Sequence, residues 1–348
     1  MNIKRKDYTI SLGEPILYVD NESRGRSGHM SHALAEYEKG KIIDFNSNCS
    51  AKRFEGHSTF GFIEYRTSED GGDTYSEVKT LPYAWESFLD GVETISVEKA
   101  LSLGDGRTVA LCLRNTADRL CAPWHNPTAV YSDDGGKSWS APYEISPYAG
   151  RIYDACTYDG TMYFLEFCNS AAVDWLGAAD EHLYRIYKST DRGEHFEEMC
   201  IVPIPTYRRG YGAMLFDNTG ALHVYAYNIA DPMHLDHVMS EDGGKTWSMP
   251  STCYLDKGIR NPQIGEIDGV YILHGRAHGQ QGFVLYTSTD GVAWDAAEQI
   301  GNVKGLCYYS NNVTTTDKEG KRRMLIQYSE AYNGHCVNVY HRFLTIEK

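Results

Sequence analysis

SEDGGDTY (residues 68–75), SDDGGKSW (132–139), STDRGEHF (189–196), SEDGGKTW (240–247) and STDGVAW (288–294, one residue shorter) are five copies of one pattern. The pattern carries its own folding logic. Ser and Asp side chains bond the backbone a few residues on, glycine supplies positive φ at the tip, and the closing aromatic packs back beneath the turn. Each copy therefore reads as a self-satisfied hairpin turn. The first serines, at 68, 132, 189, 240 and 288, recur every 48 to 64 residues, room for four short strands per unit.

The strands flank the turns as expected. In the fourth unit GYGAMLFD, ALHVYAYN and LDHVMSED precede the turn, and the fifth gives NPQIGEID, VYILHGRA and FVLYTSTD, apolar-alternating runs parted by turn residues. Residues 301–348 add YYSNNVTTTD, RMLIQYSE and HCVNVYHRFLTI with no such turn, a sixth unit one strand short. The N-terminal TISLGEPILYV supplies the missing strand. The fold class expected is all-β: a six-bladed β-propeller with four-stranded blades, its N-terminal strand closing the last blade and leaving no open edge. Six blades of about 58 residues account for residues 1–348 as a single domain.

Composition narrows the function classes. The formal net charge of -14 disfavours nucleic acid and anionic membrane surfaces as partners. The start, MNIKRKDYTISLGEPILYVD, lacks the apolar core of a signal peptide, and no later run approaches 18 apolar residues. The expectation is a cytoplasmic protein. Nine cysteines (49, 112, 121, 156, 168, 200, 253, 307 and 336) are scattered singly, which points to buried thiols rather than a metal or redox pair. No HExxH or EF-hand pattern occurs, so neither metal nor cofactor is expected. The 26 tyrosines against 11 phenylalanines suit strands with one apolar and one wet end.

The first and third strands of a blade run in the same direction, so the turns after the third strands lie on one pole of the disc. That removes Asp70, Asp134, Asp191, Asp242 and Asp290 from catalysis. The other pole collects Arg26, His29 and, in an inner loop, Arg53 and Glu55 from blade one; Glu98 from blade two; and Arg151, Tyr153 and Asp154 from blade three. Blade four adds Arg209 and Tyr211, blade five Arg260, Asn261, Gln263 and Arg276, and blade six Tyr309 and Glu330. Guanidinium forks grip carboxylates at two points, so this pole suits an anionic carbohydrate, with tyrosines to stack on sugar faces.

The five turns resemble the Asp boxes of the sialidase and BNR-repeat superfamily, over roughly residues 60–295. That resemblance implies hydrolysis of a glycoside of sialic acid or a related acidic sugar by a tyrosine nucleophile. It places the nucleophile at Tyr309, in YYSNN, and a carboxylate-binding arginine at Arg276. It puts the acid for the leaving oxygen at Glu55, and a base for the tyrosine at Glu98 or Glu330. The chain departs from the family where blade one opens GHMSHAL rather than with an arginine motif, where Tyr211 and Gly212 stand for a glutamate, and where VYAYN ends without arginine. Two other readings stay open. One is a uronate polysaccharide lyase using His, Tyr and Arg; the other is a noncatalytic propeller that binds a glycan.

Overall fold

The structure, a computed structural model, describes residues 1–29, 32–53, 60–117, 124–168, 182–280, 282–301 and 307–348. Six antiparallel sheets stand radially around one axis, each with its first strand innermost. The inner strands are His32–Glu38, Glu93–Leu101, Gly150–Tyr158, Arg209–Phe216, Ile259–Ile267 and Cys307–Thr316. Each packs against the inner strands of the blades on either side, the sixth against the first, so the ring is closed.

Closure comes from the N-terminus as the sequence implied. Thr9–Leu12 and Ile16–Val19 both pair antiparallel with the last strand, Cys336–Glu347, and the segment Asn2–Lys4 adds a further strand outside. One helix, Pro82–Asp90, links blade one to blade two.

All five repeated turns join the third and fourth strands of a blade. In the second, Ser132 Oγ donates to Asp134 Oδ1 (2.8 Å) and accepts the Gly136 amide (2.8 Å), while Asp134 accepts the Lys137 and Ser138 amides and the Ser138 hydroxyl. Gly135 and Gly136 have φ of 67° and 77°, which explains the paired glycines. The shorter fifth copy moves the bond to the serine from the fourth residue on to the third, Gly291 N to Ser288 Oγ (2.9 Å). Thr246 holds the Asp242 carboxyl at about 2, through its hydroxyl and its amide. Such an acid is permanently ionised and donates no proton near neutrality.

These turns also lock blade to blade, which accounts for many tyrosines. Tyr65 of blade one donates to the Gly136 carbonyl in blade two's turn (2.7 Å), and Tyr225 of blade four to the Gly291 carbonyl in blade five's (2.6 Å). Tyr143 does the same to Gly193. A buried phenol thus fills the space between sheets and satisfies a turn carbonyl at once. Cysteines 49, 112, 156, 168, 200, 253 and 336 are free thiols, buried or half-buried; Cys121 and the Cys307 side chain lie outside the described set.

Candidate functional site

Antiparallel pairing sets residues opposite one another singly, and an extra residue on one strand must bulge out of the ladder. Five inner strands bulge in this way. Val97 and Lys99 face Cys112 and Leu111, leaving Glu98 over. Tyr153 is skipped between Ile152 and Asp154, and Tyr211 between Gly210 and Gly212. Asn261 falls in the break between Arg260 and Gln263, and Tyr309 in the break between Cys307 and Ser310. In blade one the inner strand is split instead, Arg26–Ser27 and His32–Glu38 pairing with the same neighbour. The backbone records the strain of this arrangement: Tyr211 and Asn261 have positive φ, 22° and 60°.

The bulges converge on one well at the axis, at the N-terminal ends of the inner strands and hence on the pole opposite the repeated turns. His32, Glu98, Lys99, Arg151, Tyr153, Tyr211, Asn261, Gln263, Tyr309, Ser310 and Asn311 line it, around a cavity of about 30 Å³. Arg151 is its centrepiece. Its guanidinium donates from Nε (3.1 Å) and Nη2 (2.9 Å) to Glu98 Oε2, and lies 5.1 Å from the Tyr309 ring centre, 5.7 Å from Tyr153 and 6.0 Å from Tyr211. Glu98 Oε1 is buried and meets no hydrogen-bond partner among the described residues. Burial raises the Glu98 carboxyl above its usual range, against the pull of Arg151 and Lys99.

Below lies a floor built by four blades. The Lys99 ammonium is 2.7 Å from Asp154 Oδ1 and 3.1 Å from Asn311 Oδ1, and also bonds Gln263 Oε1. Asp154 accepts the Met214 amide on its other oxygen (2.8 Å). On the far side of this floor the axial channel widens to about 740 Å³ toward the pole of the repeated turns. His274 bridges Ser310 and Asn312, each at 2.9 Å; because an amide nitrogen donates, His274 Nε2 accepts from Asn312 and Nδ1–H donates to Ser310. Burial drives His274 and His32 down to about 3, so both are neutral imidazoles.

Arg260 and Arg276 form the rim between blades four and five. They are cross-strand partners, Arg260 lies 5.6 Å from the Tyr211 ring centre and 6.0 Å from that of Tyr227, and both guanidiniums act on the Tyr227 phenol. Other sequence candidates stand apart. Arg209 donates to Asp236 of its own blade (2.7 Å), and Arg26 to Asn48. His29 is buried beside the split strand, and Arg53 lies over Phe60, 4.7 Å from its centre. Glu330 is on the second strand of blade six, next to Gly301. Glu55 falls in residues 54–59, outside the described residues.

His32 and Lys99, which the sequence places on this pole without a specific role, complete the well together with Asn311, which it does not single out. A signal for Lys99 was present: Glu98 and Lys99 are adjacent charges inside an apolar strand, VEKAL, where alternation permits one inward polar residue and a bulge permits two. Among the described residues no group of three or more His, Cys, Asp or Glu side chains is placed to hold a metal ion, and no helix is long and apolar enough to cross a membrane.

The fold and the repeated turns define a class: this is a six-bladed β-propeller with Asp boxes. The BNR/Asp-box repeat model matches residues 130–141. No curated protein matches the sequence. Among solved structures, a protein of unknown function from Dyadobacter fermentans is similar at 15% identity and TM-score 0.71, over 97% of this chain and 99% of that one. The NanB sialidase of Streptococcus pneumoniae is similar at 11% identity and TM-score 0.67, over 95% and 70%. The intramolecular trans-sialidase of Ruminococcus gnavus is similar at 12% identity and TM-score 0.63, over 94% and 96%. At these identities the likeness is one of fold.

Proposed function

We propose that this propeller is a retaining glycoside hydrolase for an acidic sugar, with Tyr309 as nucleophile. The observation that carries the reading is the meeting of Tyr309, Arg151 and Glu98 in one axial well, on the pole free of Asp boxes. A phenol is the fitting nucleophile beside a substrate carboxylate, because an ionised side chain would be repelled. In the first step the Tyr309 oxygen bonds the anomeric carbon as the bond to the leaving oxygen breaks. The phenolic proton passes to Glu98, and the leaving oxygen takes its proton from water on the opposite face of the sugar ring, so the charges balance. Water then reverses the sequence at the glycosyl–tyrosine bond. Arg151 faces both the Tyr309 ring and the Glu98 carboxyl and stabilises the negative charge that develops on either.

The well is too small for a pyranose, since about 30 Å³ holds roughly one water or a carboxylate-sized group. The ring of the sugar therefore rests above it, against Tyr227, Arg260 and Arg276. The departures at Tyr211 and in VYAYN leave the acid open between a sialic acid and another acidic sugar. The lyase alternative draws less support, because His274 has both nitrogens committed to Ser310 and Asn312. Wild type should release the fluorophore from a 4-methylumbelliferyl sialoside or glucuronide, and Tyr309→Phe should not. Equal or absent release in the two proteins would end the hydrolase reading. In that case a binding isotherm with the same sugars tests the noncatalytic one, favoured by the pairwise neutralisation of Arg151 by Glu98 and Lys99 by Asp154.

A further inference from the structure

The charges of the well cancel as it stands. Arg151 is matched by Glu98 and Lys99 by Asp154, and the four side chains are 3 to 9% exposed. His32 and His274 add nothing, being neutral. A carboxylate entering this space leaves one uncompensated negative charge in a dry pocket, which is strongly disfavoured. Glu98 Oε1, buried and without a hydrogen-bond partner among the described residues, is an acceptor in place for the compensating proton.

We propose that the well binds a carboxylate together with one proton, the proton residing on Glu98. The inference deepens the reading that the ligand is an acid and requires no turnover. The carboxylate takes over N–H donors of Arg151, and Glu98, losing that cation, gains a proton on Oε1 and presents an O–H to the ligand.

The surroundings of Glu98 point the same way from every side. Its own strand supplies Lys99, paired to Asp154, and the adjacent strand supplies Cys112, whose thiol burial holds un-ionised at neutral pH. Blade three brings Arg151 and Tyr153, blade four Tyr211, blade six Tyr309 and Asn311, and blade one His32. Blade five brings Asn261 and Gln263 into the well, with Arg260 above, against Tyr211. Burial raises Glu98 first of all, and the two cations beside it oppose that. Removing one of them by ligand competition raises it further.

Formate is the probe, since it fits the well and has no sugar chemistry. Its binding is followed by titration calorimetry in buffers of differing ionisation enthalpy between about pH 5 and 8. Wild type should take up close to one proton per formate above the pKa of Glu98, with affinity falling about tenfold per pH unit there. Glu98→Gln should bind formate with no proton uptake and a flat pH dependence. Formate binding to wild type without proton uptake, as a site at Arg260 and Arg276 would give, overturns the proposal. So does absence of formate binding across the whole pH range. The wild-type titration stands without the variant, and a failed sialoside assay leaves it untouched.

Discussion

The Lys99 ammonium lies on the propeller axis 2.7 Å from Asp154 Oδ1, with Gln263 and Asn311 of two further blades closing around it. Its surroundings are three side-chain oxygens, so one amine ties blade two to blades three, five and six. It also partitions the small well from the 740 Å³ channel. Lys99→Met should leave the Asp154 carboxylate buried without its cation and cost about 3–5 kcal/mol in denaturant unfolding. Lys99→Met with Asp154→Asn should recover part of that loss. Equal stability of the single variant and wild type would show that the pair is not a staple.

How much of this was visible in the sequence follows from what each feature depends on. The Asp boxes are local, so five of them marked five blades, their strand order and the pole that carries the turns before any pairing was known, and the strands of residues 301–348 supplied the sixth blade. The N-terminal strand was equally legible, because the sixth unit lacked one. The bulges were not, since a skipped residue is defined only against its partner strand: nothing in RIYDAC says that Tyr153 leaves the ladder while Asp154 stays. Pairing also decides which arginines meet at the axis. Arg209 and Asp236 are 27 residues apart in sequence and meet across blade four, whereas Arg151 finds Glu98 only across a blade boundary.

Arg151→Lys should separate charge from geometry in the well. A lysine keeps the positive charge but has no planar fork to hold Glu98 Oε2 with two N–H groups. On the hydrolase reading, kcat/KM should fall by about 10² or more while the thermal midpoint moves little. A variant with undiminished kcat/KM would mean that charge alone suffices.

The rim arginines should behave differently. Arg260 and Arg276 lie against Tyr211 and Tyr227, above the bulged residues of the well. Arg276→Met should raise KM for an acidic sugar by about 10- to 100-fold with kcat largely kept, the pattern of lost uniform binding. The same substitution should leave KM unchanged for a neutral glycoside of equal size. A fall in kcat alone would move Arg276 into the reacting centre.

An Asp-box substitution provides the converse control. Asp134 accepts the Lys137 and Ser138 amides and two hydroxyls within one turn. Asp134→Ala should lower stability by about 1–2 kcal/mol, read by denaturant midpoint. Formate binding at the well should be unaltered, because the turn sits at the opposite pole. Loss of binding in a folded Asp134→Ala protein would argue that the two poles are coupled.

Glu166 predicts the pH dependence of stability. It lies on the second strand of blade three, fully buried, and burial pushes its carboxyl up to about 8, only partly offset by Ser146, Cys168 and Arg185. The unfolded chain releases that proton near 4.3, so between about 4.3 and 8 the native state holds more protons than the unfolded state. Stability should therefore fall as pH rises through this window, by at most about 1.4 kcal/mol per unit, and level off above it. Glu166→Gln, neutral at every pH, should remove this component. Its advantage over wild type in urea unfolding should be small near pH 4.5 and grow toward pH 8. A difference between the two proteins that stays constant from acid to alkaline pH would show that the Glu166 carboxyl titrates in the native state as it does in the unfolded chain.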